Sequence, residues 1–597
     1  MNKIKSHNFF SLSWLLYFIF FAGVFIYFSF FADYIFFYQE KSSLFIFSCD
    51  FLSENLHQPG GLLIYAGKFF TTFFYYPFAG ALIVASVLTL IVCQTSKIII
   101  LLNGSKAQRL SGAMVLSLIP GIALFYLQTD YRFLLFNSLG ILIQLAFLYL
   151  VIRYYKQLGG WLPVVISPLW YFLNGSFSWI FFLFLTFYYA FVIERKGWSK
   201  IIVLWILNAL TFYISKEFLF FQPGKTLLIF PFTELNTGYQ SVIFLSVAAF
   251  TAILPLITRI KLPFQANLKI SSLAVNLMTI SLLLIILTAI GYQKSDNKTK
   301  QYFHVEKLFY QNKFNEVIAY NKEYHPTNIL TIFLNNIALC EEDKLDDMLF
   351  DFPQSPDGKT LFLKWEIAGE ILRRGGYFYY TIGMINEAHR WAFENMVMSG
   401  FTPEGLKMLI KTDLINGNYK VAAMYAGILK KTLFYRKDAK AFEKLLFNDV
   451  AINTDKDLGE KRKIRLKSDF FSITDDPAVN IDLILRKDSL NKKAFEYKVA
   501  YLLLRKDYQG IAKELPKFEN LGFTKFPLNV EEAVIAISIA NKGSLPDLGS
   551  IRISQGTITR WQQYLSVLQQ YGNDVRSAEP ALRRRFGNTF WYWVFYR

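Results

Sequence analysis

Charged side chains that could do chemistry stand in the breaks between long apolar stretches of the first 295 residues. Two are carboxylates that follow the first apolar stretch, Asp33 and Asp50, and three are cations further along, Arg132, Lys216 and Lys225. A carboxylate can take a proton from a hydroxyl group, and Arg and Lys bind phosphate oxygens. Beside a bilayer, such a set could activate an acceptor hydroxyl while holding a lipid phosphate. The alternative is that each is ordinary charge at a membrane interface.

Other familiar chemistry is not indicated by the sequence. No zinc pattern, phosphate-binding loop, GxSxG or HExxH is present, and the five histidines share no ligand spacing. The metal therefore stays unknown, although a divalent ion held by Asp33 would be compatible with the proposed chemistry. No other cofactor is predicted. Of the three cysteines, Cys49 and Cys340 could pair if both lie outside, but free or buried thiols are favoured.

Apolar stretches of spanning length organise the first half of the chain. A helix needs about 20 apolar residues to cross a bilayer. Nine spans are predicted in the domain 1–295, at 10–31, 76–95, 111–127, 133–152, 161–174, 176–193, 200–215, 240–258 and 270–291. Between the fifth and sixth, Asn174-Gly175-Ser176 could be a tight turn, or the pair could be one broken or re-entrant element.

The distribution of basic residues sets the orientation. With the N-terminus inside, the inner segments hold 13 Lys and Arg against one acid, Glu194. Cytoplasmic segments carry such an excess. An odd number of spans then puts residues 296–597 in the periplasm of a double-membraned bacterium, with the protein in its inner membrane. The net charge of +18 is concentrated in the membrane half, so no nucleic-acid partner is predicted.

Two long outer segments carry the charged residues named above. The segment 33–75 is too aromatic for a solvated loop, and from Leu62 to Phe73 its apolar residues recur three and four apart. It predicts one or two helices lying in the membrane interface after the turn Gln58-Pro59-Gly60-Gly61. The segment 216–239 carries Lys216 and Lys225. Further acids on this side are Glu40, Glu54, Asp130 and Glu217.

From Asp296 the sequence predicts soluble amphipathic helices. Two six-residue patterns lie 34 residues apart, and their predicted packing positions are Gly383, Ile385 and Ala388, and then Gly417, Tyr419 and Ala422. This spacing resembles the tetratricopeptide repeat, which implies an α-solenoid that binds a protein partner. The repeats are predicted over 296–450, with degenerate repeats over 451–597. The charged run 453–463 predicts a solvated connector. The aromatic end, 590–597, either caps the solenoid or docks on the bilayer.

The layout as a whole resembles the GT-C superfamily of polytopic glycosyltransferases. The likeness rests on a first span that begins inside, a long helical outer segment and an acid, Asp33, soon after the first span. It implies transfer of a sugar from a polyprenyl-phosphate carrier, with Asp33 as the base or metal ligand, Asp50 as a second candidate, and the soluble repeats presenting the acceptor. Asp33 is followed by Tyr34 and Ile35, so the paired acids of that superfamily are missing.

A second resemblance covers the full length. The stretch Gln58–Tyr76 and the later sequence TLFYRK, Thr432–Lys437, are similar to those of an uncharacterised family of bacterial envelope proteins. That likeness implies no activity. The expected fold is therefore all-α, a polytopic membrane domain followed by a periplasmic α-solenoid. The expected function is sugar transfer, or alternatively a non-catalytic scaffold for an envelope or transport complex.

Overall fold

The computed structural model describes residues 2–103, 107–157, 159–193, 197–232, 238–259, 272–366, 369–467, 470, 472–473 and 476–597, with backbone alone for 2–13, 107–113 and 272–276. Every regular element in these ranges is helical. The chain forms two compact units, one of residues 1–295 with 431–434, the other of 296–430 with 435–597. Several basic residues counted for orientation have side chains outside the description: Lys3, Lys5, Lys106, Arg109, Arg195, Lys196, Lys261 and Lys269.

The first unit holds fourteen α-helices within the described ranges. They are α1 Asn2–Ile26, α2 Tyr34–Ser42, α3 Cys49–Leu56, α4 Gly61–Thr72, α5 Pro77–Asn103, α6 Ala107–Gln128, α7 Leu135–Arg153, α8 Leu162–Asn174, α9 Ser178–Phe191, α10 Trp198–Ile214, α11 Gly224–Ile229, α12 Gly238–Ala252, α13 Leu254–Ile257 and α14 Ser272–Gln293. α1 and α10 continue as π-helical turns, Tyr27–Phe31 and Ser215–Leu219.

Within the described ranges, five stretches are long and apolar enough to cross a membrane, which indicates a membrane protein. They are Trp14–Phe31, Pro77–Asn103, Leu135–Arg153, Leu162–Phe191 and Trp198–Leu219, with a sixth if Leu277–Gln293 is counted with the helix that follows it. Met114–Gln128 and Gly238–Ala252 are apolar but shorter. The count of nine thus stays a prediction.

The stretch Leu162–Phe191 folds back on itself as a hairpin. A straight helix of this length would hold its ends about 45 Å apart. Instead the Tyr189 hydroxyl, near the end of α9, donates to the carbonyl of Gly160, before α8, at 2.9 Å. Trp170 and Phe181 both pack on Phe147, with ring centroids 3.9 and 5.1 Å away. The residues Gly175–Phe177 between the two helices therefore form a tight turn.

Glycines let three turns meet at this hairpin tip. Gly60, with φ +83°, donates its N–H to the carbonyl of Phe172 at 2.9 Å. A Cβ on Gly60 would lie 2.9 Å from the backbone nitrogen of Gly175, and a Cβ on Gly175 would lie 2.8 Å from the carbonyls of Pro59 and Phe230. Only residues without side chains allow this approach, which gives the Gln58–Gly61 turn its structural role.

The helices α1 and α14 run in the same direction. A Cβ on Gly23 would meet Leu287 at 2.8 Å, and a Cβ on Gly291 would meet Tyr27 at 3.3 Å. Both contacts advance by four residues along each helix, as parallel neighbours require. The ends of α1 and α14 therefore lie at the same end of the first unit, opposite to the start of α1.

The first unit also includes residues 431–434, which interrupt the second. The Phe47 N–H donates to the Lys431 carbonyl at 2.9 Å. The Phe434 ring stacks on Tyr75, with centroids 4.8 Å apart. Thus part of the TLFYRK stretch packs against the aromatic end of the Gln58–Tyr76 stretch.

The second unit is built from nineteen shorter α-helices in its described residues. They are α15 Asn297–Tyr310, α16 Phe314–Tyr324, α17 Ile329–Glu341, α18 Leu345–Met348, α19 Glu370–Thr381, α20 Ile385–Ser399, α21 Pro403–Asn416, α22 Tyr419–Lys430, α23 Arg436–Glu443, α24 Asp449–Thr454, α25 Lys456–Ile464, α26 Pro477–Lys487, α27 Lys492–Arg505, α28 Tyr508–Glu514, α29 Lys517–Asn520, α30 Leu528–Ala540, α31 Gln555–Gln570, α32 Val575–Phe586 and α33 Phe590–Tyr596.

The predicted repeat positions lie at helix-to-helix turns. Gly383 and Gly417 have φ of +85° and +82° and follow α19 and α21. Ile385, Ala388 and Ala422 are buried. Tyr419 differs from the predicted wedge, because it is only half-buried and its hydroxyl bonds to Asp449 and Arg462.

Two other segments of the second unit bear on predictions made from the sequence. These are the charged run, predicted to be a solvated connector, and the aromatic end, predicted either to cap the solenoid or to dock on the bilayer. The charged run 453–463 is mostly helical. It is not a solvated connector, because Lys461 is buried and its ammonium donates to both Glu341 oxygens at 2.8 Å. The aromatic end forms α33. Phe590, Trp591 and Trp593 are buried, so this end packs inside the second unit.

Candidate functional site

The loop between α6 and α7 holds an acid, Asp130, whose carboxylate accepts three hydrogen bonds. One carboxylate oxygen of Asp130 accepts the Arg132 backbone N–H at 2.9 Å. The other accepts the Tyr239 hydroxyl at 3.0 Å and the Gln240 side-chain amide at 2.6 Å. Gln240 is fully buried at the start of α12. The Asp130 carboxylate therefore connects this loop to α12 through charge-assisted hydrogen bonds.

A cation joins this loop from the end of α14. The Lys294 ammonium lies 4.1 Å from the ring centroid of Tyr126 and 5.5 Å from that of Tyr239. Such cation–π contacts hold a positive charge without neutralising it. Asp130, Arg132, Tyr239, Gln240 and Lys294 are hereafter the Asp130 cluster.

The helix α2 connects Asp33 to the same loop. The Gln39 side-chain amide, buried on α2, donates to the carbonyls of Tyr131 and Phe133 at 3.3 and 3.0 Å. The Tyr38 ring meets Tyr131 edge-on, with centroids 4.6 Å apart. The Arg132 guanidinium lies 5.2 Å from the same Tyr131 ring. One layer of contacts thus runs from α2 to Arg132.

Asp33 sits at the start of that helix, directly before Tyr34. Its backbone is helical, its side chain does not cap α2, and it is half-buried. Within the described part of the chain, the carboxylate forms no hydrogen bond or ion pair. A half-buried carboxylate with both oxygens unoccupied has the capacity to accept a substrate proton.

The other predicted site residues lie on exposed surface. Asp50 stands in the first turn of α3, where a carboxylate is favourable beside the helix N-terminus. Lys216 pairs with its neighbour Glu217 at 2.6 Å. Lys225 is exposed at the start of α11. No hydrogen bond or ion pair among the described residues joins Asp33, Asp50, Lys216 or Lys225 to the Asp130 cluster.

No metal centre emerges from the described residues. Within them, no three or more His, Cys, Asp or Glu side chains are grouped so that they could hold an ion. The three cysteines are free, with Cys340 buried and Cys49 exposed.

Sequence reasoning missed four members of this arrangement, namely Gln39, Tyr239, Gln240 and Lys294. A neutral amide at the edge of an apolar stretch carries little signal on its own. The usable hint is that a buried amide must find partners, so a glutamine in such a stretch indicates a contact between helices.

The model of a family of unknown function, DUF6057, matches residues 8–597. The chain belongs to this family. No curated protein and no solved structure matches the DUF6057 chain.

Proposed function

We propose that this DUF6057 protein is a membrane-embedded transferase of the GT-C kind, which moves a sugar from a polyprenyl-phosphate carrier to an acceptor hydroxyl. The observation that carries the proposal is the contact layer through α2. It connects an unpaired, half-buried carboxylate, Asp33, to a loop that bears Arg132 and lies next to Lys294.

In the proposed reaction, Asp33 accepts the proton of the acceptor hydroxyl. The hydroxyl oxygen forms a bond to the anomeric carbon while the bond from that carbon to the phosphate oxygen breaks. The phosphate leaves with the electron pair, and Arg132 and Lys294 neutralise its charge. Lys216 and Lys225 remain candidate phosphate contacts on a neighbouring segment, and the second unit would present the acceptor.

The proposal includes a topology. Because α1 and α14 are parallel, the start of α1 and Asp296 belong to opposite faces of the membrane, whatever the exact number of spans. The α8–α9 hairpin supports this, since it returns to the side it came from whether it crosses or re-enters. The basic residues favour a cytoplasmic N-terminus. The Asp130 cluster and the second unit would then face the periplasm.

Replacing Asp33 by Asn tests the chemistry. In cells that carry the variant as their only copy, sugar transfer should fall at least ~100-fold, the contribution of a general base. Mass spectrometry of envelope glycans and of polyprenyl-linked sugars would measure product loss and donor build-up. Glu54→Gln, which alters an exposed acid on α3, should leave both unchanged.

Asp50→Asn separates the two candidate acids, because only the true base should show the loss. Protein amounts in the membrane must match in all variants. Unchanged glycans with Asp33→Asn would remove Asp33 as the base, and unchanged glycans on full deletion of the chain would remove the transferase.

A scaffold role is the second candidate, and one observation favours it. Large apolar side chains are exposed on two helices of successive pairs, namely Phe393, Val397 and Met398 on α20, and Val421 and Met424 on α22. Exposed apolar groups of this density mark binding surfaces. For a scaffold, Val397→Glu with Met424→Glu should abolish function in cells while Asp33→Asn preserves it. The transferase requires loss with Asp33→Asn.

A further inference from the structure

A groove in the second unit lies between α31 and the end of α32. It has a volume of about 710 Å³ and is lined by Gln555, Gly556, Thr559, Arg560, Gln563, Arg585 and Phe586. This volume is within the range of small-ligand sites. No acid is among the lining residues.

The exposed face of α31 is unusual for a solvated helix. Gln555, Thr559 and Gln563 are exposed and four residues apart, so they form one row at intervals of about 6 Å. A water-facing helix carries charged or polar residues on such a face, and this row consists of uncharged polar residues alone. Each glutamine amide offers two donors and an acceptor, a pattern that matches the neighbouring hydroxyls of a sugar ring.

Positive charge flanks this row. Arg560 is partly engaged, since it reaches Glu532 at 3.4 Å and Asn588 at 2.8 Å. Arg585 is exposed and lies 5.7 Å from the Phe586 ring centroid. It has no hydrogen bond or ion pair to any residue in the described ranges. Its five N–H donors are therefore available to a ligand.

The surrounding sequence amplifies that charge. Residues 548–597 contain seven arginines, no lysine, and two acids, Asp574 and Glu579. Both acids are occupied: Asp574 accepts the Ser577 hydroxyl, and Glu579 accepts the Tyr592 hydroxyl. Arginine favours planar, bidentate partners such as carboxylates. The three arginines that end α32 also suit the helix C-terminus, but that role needs no groove.

We propose that this groove binds an acidic saccharide, with the α31 row contacting ring hydroxyls and Arg585 contacting a carboxylate. The inference does not depend on the transferase, because it concerns binding in the second unit alone. Hydroxyl-rich anionic polymers are one class of ligand that uses both features of the groove at once.

The test uses the full chain in detergent micelles and a trimer of galacturonic acid as the probe, with affinity measured by calorimetry at low salt. Maltotriose is the matched neutral probe and inorganic phosphate the plain anion. We expect the acidic trimer to bind, and we expect maltotriose and inorganic phosphate to bind with affinities at least roughly tenfold weaker.

Arg585→Gln should weaken binding of the acidic trimer roughly tenfold, the effect of one charge-assisted contact. Thr559→Ala with Gln563→Ala should weaken it as well. Arg576→Gln changes an exposed arginine at the other end of α32 and should have no such effect. Equal losses with Arg576→Gln and Arg585→Gln, equal binding of phosphate, or no binding of the trimer would each overturn the proposal.

Discussion

The interiors of the two units are held together by different polar chemistry. In the first unit, the buried polar side chains of the described residues are neutral amides and hydroxyls, apart from Glu40. In the second, eleven acids and bases are buried, among them Arg374, Lys461 and Lys493. Charges inside lipid are costly, whereas a water-soluble unit can bury them as pairs. The contrast supports assigning the first unit to the bilayer.

The second unit concentrates its buried charge in a few networks. Arg374 is 1% exposed and contacts Glu306 at 2.6 Å and Glu370 at 2.5 Å. Burial by itself lowers the pKa of Arg374, but the carboxylates of Glu306 and Glu370 raise it more. The pKa of Arg374 therefore lies well above its usual value. The ion pair between Arg374 and Glu306 joins α19 to α15.

The largest effect is expected from breaking that pair. Arg374→Met leaves the Glu306 carboxylate buried without its cation, which should destabilise the second unit by about 3–5 kcal/mol. Hydrogen exchange of the full chain would show lost protection in α15 and α19. Lys313→Met breaks an ion pair with Glu316 in which both side chains are exposed, and it should cost under about 1 kcal/mol. Equal effects of the two changes would contradict the comparison.

In the first unit, the largest expected effect comes from shape rather than charge. Gly60→Ala adds a Cβ at 2.9 Å from the Gly175 nitrogen, at positive φ, and should cost at least ~2 kcal/mol. Size-exclusion profiles of detergent extracts would report less folded protein. Gly159→Ala has a similar φ, +68°, but nothing within 4 Å, so it isolates the backbone cost. A profile for Gly60→Ala like that of Gly159→Ala would count against the three-turn junction.

The buried acids of the second unit predict a pH dependence. Burial raises the pKa of the Glu496 carboxyl to about 8, from its usual value of 4.5. The folded state then holds a proton that the unfolded state has lost. Stability should therefore fall as pH rises from about 5 to 8, by up to about 1.4 kcal/mol per unit. The charged and titratable groups around Glu496 are Lys492, Lys493, Asp343, Asp346 and Cys340.

Glu496→Gln should reduce this slope, which urea unfolding at pH 5, 6.5 and 8 would measure. Part of the slope should remain, because burial also raises the pKa of the Glu532 carboxyl, to about 7, and that of the Asp346 carboxyl. The control is Glu514→Gln, which removes a buried carboxylate that pairs with Lys498 and Lys517. It should keep the slope. A slope that Glu496→Gln leaves unchanged would show that this carboxyl does not contribute to it.

The smallest effect concerns one neutral bond in the first unit. The Trp170 indole N–H donates to the buried Gln144 amide oxygen at 2.8 Å. Gln144→Leu should cost about 1 kcal/mol, whereas Gln144→Glu should cost more, because it adds a charge in apolar surroundings. Thermal stability in detergent would rank them. If Gln144→Glu were as stable as Gln144→Leu, the claim that the interior of the first unit excludes charge would be wrong.

The sequence predicts the parts of the fold that depend on local chemistry. The all-helical class follows from periodicity, and the positive φ of Gly383 and Gly417 agrees with turns between helices. The change in character near Asp296 coincides with the boundary between the units. The tight turn between α8 and α9 is one of the two alternatives that the sequence left open at Asn174-Gly175-Ser176. The approach of Gly60 to Gly175 and the burial of Lys461 could not be predicted, because each depends on partners distant in sequence.

The site was predictable only in its residue types. Asp33 and Arg132 could be named from their positions after apolar stretches. Their connection through Gln39 and Tyr131 could not, since α2 packs on a loop about 90 residues later. Tyr239 and Gln240 were missed for the same reason.

The topology can be tested most directly with reporters fused after Arg597. Alkaline phosphatase, which is active only outside the cytoplasm, should be active there, and a fluorescent protein that matures only inside should stay dark. The opposite result, with a dark phosphatase and a bright fluorescent protein, would contradict both the periplasmic second unit and the proposed site.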